Sequence, residues 1–314
     1  VVIRVGGDFR WVVESYVDGV ESVVAFNQPQ SIVSLIEILS PLRVVYSNIV
    51  GSLEPEGDVK LVGEIGRKAM HFDVLFHDFF PIDKRYDLTD GKGNLIENLG
   101  DFDTPSNNEW REMWRNLFSG VNSRLVVFSK NSRDIVKSVY PEFGDKIVIQ
   151  PHQVKIGFEP VSNVNAVRKQ GEPMVIGVLG AIGLIKGAKI IADLSDALSI
   201  RRIPARIVLI GEIDPMFSLN AKSHIHGQYQ VQDIPKLIGK YNIDVWFNSS
   251  IVPETFSFTT HEALATGLPV FAFDLGAQGD TIRERMGSSH VLSLVDAQND
   301  PLSIYTQMIV ASAK

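Results

Sequence analysis

The chain contains no cysteine. That removes a disulfide framework, a thiolate metal site and a cysteine nucleophile, and it fits a reducing compartment such as the cytoplasm. No run of about eighteen apolar residues occurs, so no membrane-spanning helix is expected. Basic residues are in deficit: 30 Lys and Arg against 37 Asp and Glu leave a net charge of −7. A nucleic-acid binder ordinarily carries a basic face, which this balance argues against. No signal peptide is visible, and the sequence opens on Val1 rather than Met. There is no internal repeat, heptad pattern or low-complexity segment. What remains is 314 residues, 45% hydrophobic and 21% charged, with 25 Gly and 15 Pro. This is the composition of a soluble globular chain, and its length suits two domains at about 150 residues each.

Short β-branched apolar runs alternate with amphipathic stretches of helical length. Strands are expected over 23–26, 43–46, 72–77, 125–129 and 146–150, and again over 174–179, 205–210, 224–226, 245–248, 269–273 and 291–294. Runs of about five Val, Ile, Leu or Phe without polar alternation suit strands buried on both faces, hence parallel sheet. Helical patterns between them, such as 186–199, 233–241 and 280–286, imply doubly wound α/β domains. The series breaks once, over 151–172, where Pro151, Gly157, Pro160 and Gly171 interrupt any periodicity. The expected division is a first domain over 1–155, a linker over 156–172 and a second domain over 173–314. The polar stretch 88–108 reads as a long loop, a kind often functional. Two such domains would face each other across a cleft, with ligands beyond the carboxyl ends of the strands.

Three segments carry chemistry. The string PETFSFTTHEALATGLPV over 253–270 runs from a loop into a short helix, then a Gly–Leu–Pro break and another strand. Glu254 sits on the loop and Glu262 eight residues later, expected in the first helical turn. Helix-start amides hold anions and a nearby carboxylate can hold hydroxyls, although a Glu in a first turn also simply complements the helix dipole. Both carboxylates are expected to face solvent and to matter little for stability. In VIGVLGAIGLIKGAKII over 175–191, a strand ends in Gly180-Ala181-Ile182-Gly183 and Lys186-Gly187 opens a helix. Glycines admit a phosphate to the backbone, and the helix start and Lys add positive charge. It is neither a Walker A loop nor a dinucleotide loop, because the spacing differs. In HFDVLFHDFFPIDKRYDL over 71–88, a buried strand runs out at His77-Asp78, where a histidine can reach a ligand or merely cap a turn.

The 253–270 string, together with AFDLGAQGD over 272–280, resembles the E-x7-E region of family 4 retaining glycosyltransferases of bacterial polysaccharide and O-antigen synthesis, which have the GT-B fold. The resemblance spans roughly 44–295. It implies an α/β chain of two Rossmann-like doubly wound domains and transfer of a sugar from a nucleotide-diphosphate donor to a glycan or lipid-linked acceptor with retention. It further implies that Glu254 binds the donor sugar, Glu262 the ribose, and the backbone of Thr255, Phe256 and Ser257 the sugar and diphosphate. Gly180, Gly183, Lys186 and Gly187 would clamp the diphosphate. The basic residue that the family carries five or six positions earlier is replaced by Gly180 and Ala181. His77 would lie close to the donor sugar, and Arg85 and Tyr86 near the acceptor; the family's Cys-Pro after the His-Asp pair is Asp83-Lys84 here. Gly227 and Tyr229 would border the base. His77, Lys186 and Glu254 are thus the expected catalytic group. Such a chain normally opens with a strand and a Gly-rich loop, which is missing here, so the first domain is expected to lack its first βα unit.

Two metal motifs compete with this reading. Asp101-Phe102-Asp103 is a D-x-D in a polar loop, and His224-x-His226 could put two ligands on one strand face. Neither is expected to bind a metal, and no cofactor is expected beyond the nucleotide sugar. The chain would sit in the cytoplasm, or peripherally on the inner membrane face. A sugar-nucleotide epimerase and a non-catalytic nucleotide-sugar-binding module are the alternatives.

Overall fold

The computed structural model describes residues 1–5, 11–90, 95, 104–161 and 172–312. Two compact units are present. The first comprises Val1–Tyr86, Glu97–Phe128 and Arg133–Gln150, and the second Asp87–Ile96, Ser129–Ser132 and Pro151–Lys314.

The first unit opens with an antiparallel sheet of β1 (Val2–Val5), β2 (Trp11–Val17) and β3 (Val20–Phe26), in that order. Asp18 and Gly19 join β2 to β3, both at positive φ (50° and 80°). An Asp–Gly pair with this backbone suits the two-residue hairpin turn that matches strand twist. The run 23–26 therefore does not lie in a buried parallel sheet, as its apolar content suggested. It belongs to a strand at the edge of the antiparallel sheet, and β3 is exposed along almost its whole length. Helix α1 (Pro29–Leu39) buries Ile32, Val33 and Ile36 against Val13 of β2 and against Leu61 and Ile65 of α2 (Pro55–Arg67).

A parallel sheet follows, ordered β4 (Arg43–Tyr46), β5 (His71–Leu75), β6 (Ser123–Val127) and β7 (Ile147–Ile149). Helix α2 connects β4 to β5, α3 (Pro105–Phe118) precedes β6, and α4 (Lys130–Val139) follows it. Trp110 and Trp114 of α3 pack edge-on at 5.9 Å, and Trp114 packs on Tyr46 at 5.3 Å.

The second unit holds a six-stranded parallel sheet. Its order is β10 (His224–Ile225), β9 (Ala205–Ile213), β8 (Met174–Ile182), β11 (Val245–Asn248), β12 (Val270–Phe273) and β13 (Val291–Leu292). Side chains of β8 alternate between two cores. Ile176 and Val178 join Ile191 and Leu194 of α5 (Ala188–Ile200), while Val175 and Leu179 join Leu237 of α6 (Ile234–Tyr241) and Ile282 of α8 (Gly276–Met286). Both faces are covered, which is why these strands read as unbroken apolar runs. After α9 (Leu294–Asn299), helix α10 (Leu302–Ser312) places Ile304 and Met308 in the first of these cores. The stretch 151–161 has no regular structure; the rest of the expected linker up to residue 171, most of 91–103 and the Asp101–Asp103 motif lie outside the described residues.

Candidate functional site

In the second unit, β8 ends at Ile182, and a single 3-10 turn (Leu184–Lys186) leads through Gly187 into α5. Gly187 caps α5 with φ +86°, so no side chain caps the first turn. A Cβ at Gly187 would lie 2.0 Å from the carbonyl oxygen of Ser249, so glycine is required on both counts. Gly180 also has positive φ, at +113°, while Gly183 has open space where a Cβ would point. This leaves a helix start with no side-chain cap beside the half-buried glycines Gly180 and Gly183, an arrangement that can accept an anion.

The expected partners from 253–270 meet that loop. Ser249, one residue beyond β11, donates its hydroxyl to the Lys186 carbonyl at 2.7 Å, and Ile251 N–H donates to the Ile185 carbonyl at 3.0 Å. The Lys186 ammonium then reaches Glu254 Oε1 at 2.6 Å. Contrary to the sequence expectation, Glu254 is not a solvent-facing carboxylate. Its side chain is 8% exposed and ion-paired, while that of Lys186 is 42% exposed.

Helix α7 (Phe258–Ala265) starts at the Ser257 cap, whose hydroxyl accepts from Thr260 N–H. Asn248, at the end of β11, donates to Ser257 Oγ at 3.0 Å and to Thr260 Oγ1 at 2.9 Å, and accepts from Ser250 N–H at 3.0 Å. It ties the strand end to the helix start. Sequence reasoning passed over it, although an amide at a strand's C-terminus ahead of a loop was the available signal. Thr255 is buried, and the Phe256 ring stacks on His261 at 4.6 Å with His152 at 5.1 Å edge-on. His152 thus packs against Phe256, and burial lowers the His152 pKa.

Glu262 is the fifth residue of α7, so it lies in the second turn, not the first. Burial raises its pKa. Tyr229 is close enough for the Glu262 charge to act on it; burial first, then that charge, push the phenol up to about 12. Gly227 follows β10 and donates its N–H to the Gly211 carbonyl at 3.0 Å. The structure thus brings Glu262 and Tyr229 into one electrostatic neighbourhood, and Lys186 and Glu254 into contact.

His77 belongs to the first unit. It lies two residues beyond β5, with its ring stacked on Phe128 at 4.9 Å. The segment after it is pinned: Trp110 Nε1 donates to the Phe80 carbonyl at 2.7 Å, Arg111 Nε to Ile82 at 3.1 Å, and the Tyr140 hydroxyl to Pro81. Asp78 accepts from Asn48 Nδ2 at 2.6 Å and from Phe80 N–H at 2.8 Å, and burial raises its pKa. Arg85 forks onto Asp83 with two bonds of 3.0 Å, and Tyr86 takes φ +55°.

His224 Nε2 and His226 Nδ1 both bond the Tyr241 hydroxyl, at 3.0 and 2.8 Å. Among the described residues no group of three or more His, Asp or Glu could hold a metal ion. No helix among them is long and apolar enough to cross a membrane.

No family model and no curated protein matches the chain. Solved structures do. HepE of Anabaena, in complex with UDP and glucose, is 15% identical over 91% of this chain and 76% of that one, with a TM-score of 0.54. The lipopolysaccharide outer core galactosyltransferase WaaB, apo form, is 12% identical over 90% and 73%, with a TM-score of 0.56. The pneumococcal O-GlcNAc transferase GtfA, in complex with UDP and GlcNAc, is 13% identical over 97% and 66%, with a TM-score of 0.51. At these identities the likeness is one of fold. The chain has the GT-B fold, with two Rossmann-like α/β units.

Proposed function

We propose that the chain is a glycosyltransferase that moves a sugar from a nucleotide-diphosphate donor to a glycan or lipid-linked glycan, with retention and without a metal, as family 4 resemblance implies. The observation that carries the reading is the contact between Lys186 and Glu254. Two loops from separate strands bring a cation and a carboxylate together beside an uncapped helix start. One end of that arrangement suits a diphosphate and the other a sugar hydroxyl. The fold-level neighbours support the donor class, since HepE and GtfA are complexed with UDP and a sugar.

In this reading the backbone of Gly180, Gly183 and Gly187 and the Lys186 ammonium stabilise charge on the departing diphosphate, the term that dominates such transfers. Glu254 orients the sugar with the help of the Thr255–Ser257 backbone, Glu262 holds the ribose, and Gly227 and Tyr229 border the base. The leaving phosphate accepts the acceptor's proton on the face it departs from, so no protein nucleophile is needed. The family 4 resemblance adds His77, which in that family lies close to the donor sugar. The protein works in the cytoplasm or peripherally on the inner membrane face.

The test is a thermal-shift panel of nucleoside diphosphates and their sugars, followed by release of free diphosphate from the donor selected. A ligand that binds only the folded state raises stability by RT ln(1 + [L]/Kd). Stabilisation by a nucleotide sugar and its turnover support the reading. Binding without turnover indicates a binding module, an altered sugar without acceptor an epimerase, and no stabilisation by any member overturns nucleotide-sugar use altogether.

A further inference from the structure

Glu254 is held from behind by the start of α8. Gln278, the third residue of that helix, is completely buried. Its Oε1 accepts from the Glu254 backbone N–H at 3.0 Å, and its Nε2 donates to the Val252 carbonyl at 2.7 Å. Because one end of the amide meets a donor and the other an acceptor, only one orientation of the side chain satisfies both. The neighbouring Ala277 N–H donates to the Glu254 carbonyl at 2.8 Å. Gly276 lets the helix start come this close: it has φ +52°, and a Cβ there would lie 2.4 Å from the Glu254 nitrogen.

We propose that Gln278 is a positioning residue, which fixes where the Glu254 carboxylate stands and so sets the grip on the donor sugar; this rests on the role given to Glu254 above. An apolar side chain of equal volume would fill the same space. The amide adds something that packing cannot: two bonds of opposite polarity to Val252 and Glu254, which fix the rotation of the loop about Pro253. The carboxylate, carried by the same residue whose N–H is clamped, then stands opposite Lys186. Both side-chain bonds of Gln278 go to the loop that carries Glu254, so its effect on the donor sugar passes through that loop.

The experiment is a double-mutant cycle of Gln278→Met with Glu254→Gln, read as release of UDP from UDP-glucose, or from whichever donor the panel selects. Methionine keeps the volume and loses both bonds. Gln278→Met is expected to lower turnover about ten- to a hundredfold, to leave UDP affinity within about threefold, and to cost less than about twofold more on top of Glu254→Gln. Hydrogen exchange at the Glu254 amide should speed up by about tenfold or more, since its acceptor is gone. A loss that multiplies fully in the Glu254→Gln background, or unchanged exchange at that amide, overturns the inference while the parent's activity leaves the proposed function standing. A parent that neither binds nor turns over a nucleotide sugar overturns both. Should Gln278→Met not fold, Gln278→Leu also loses both bonds without adding a charge, and the same cycle applies to it.

Discussion

Replacing Glu254 by Gln removes the carboxylate that holds Lys186, and the expected result is tighter binding of the sugar-free nucleoside diphosphate of the selected donor, UDP where that donor is a UDP-sugar. The ammonium and carboxylate are 2.6 Å apart. The Lys186 side chain is 42% exposed, so solvent screens the pair and about 1 kcal/mol is a fair size for it. A hydrogen bond to a charged group is worth about 1.5–3 kcal/mol. In the parent, Lys186 must leave Glu254 to reach a phosphate, so its net contribution falls to about 0.5–2 kcal/mol. At about 1.4 kcal/mol per tenfold, Lys186→Ala should weaken UDP by about two- to thirtyfold, and Glu254→Gln should strengthen it by up to about fivefold. Uridine should bind all three proteins alike. Stability should move asymmetrically, because Lys186→Ala leaves a carboxylate 8% exposed with its cation gone, whereas Glu254→Gln leaves a lysine that can turn to water. Isothermal titration with UDP and uridine, at low and high salt, reads the first set of effects, and melting curves read the second. If Glu254→Gln weakens UDP as much as Lys186→Ala does, the two residues do not compete and the reasoning fails.

Glu262→Gln should weaken both UDP and the sugar nucleotide, since both carry the ribose. Burial raises the Glu262 pKa above its ordinary 4.5, so its contribution to stability is complete below that value and is lost as pH rises through the folded-state pKa. Glu262→Gln should therefore gain on the parent in denaturant melts as pH climbs from about 4 towards 7; a constant difference would show that burial does not act there. Gly187→Ala should cost more than about 2 kcal/mol or prevent folding, because its Cβ meets the Ser249 carbonyl at 2.0 Å. Gly183→Ala should fold within about 0.5 kcal/mol of the parent, having open space at its Cβ, yet lose UDP affinity if phosphate lies on that backbone. Equal UDP binding by Gly183→Ala and the parent would remove Gly183 from the site. Donor turnover should survive exhaustive chelation; loss on chelation that Mn²⁺ or Mg²⁺ restores would place a required metal in the reaction.

The second unit was far more legible in the sequence than the start of the first. Strands such as 245–248 are buried on both faces, and burial on both faces leaves a short unbroken apolar run. The antiparallel start was hidden for the opposite reason. β3 is exposed on nearly every residue, so Val20, Val23 and Val24 form no inward stripe, and the Asp18-Gly19 turn was the better signal. At the site, the family resemblance singled out Lys186, Glu254 and Glu262, but the sequence did not show that Lys186 and Glu254 touch. That contact depends on Ser249 and Ile251 joining two loops more than sixty positions apart in sequence. Gln278 was equally unreadable, since an amide three residues into a helix shows its purpose only through what it bonds.

The joint between those loops has a consequence for how such proteins diverge and can be recombined. Gly187 has no room for a Cβ because of the Ser249 carbonyl, and Lys186 lends its own carbonyl to the Ser249 hydroxyl. The strand end after β8 and the strand end after β11 are thus cast as one piece from two distant stretches of gene. A loop grafted from another protein at 180–187 would meet a Ser249 shaped for a different partner, and a graft at 248–254 would meet the wrong Gly187. The smallest interchangeable part of this unit is therefore the pair of loops together.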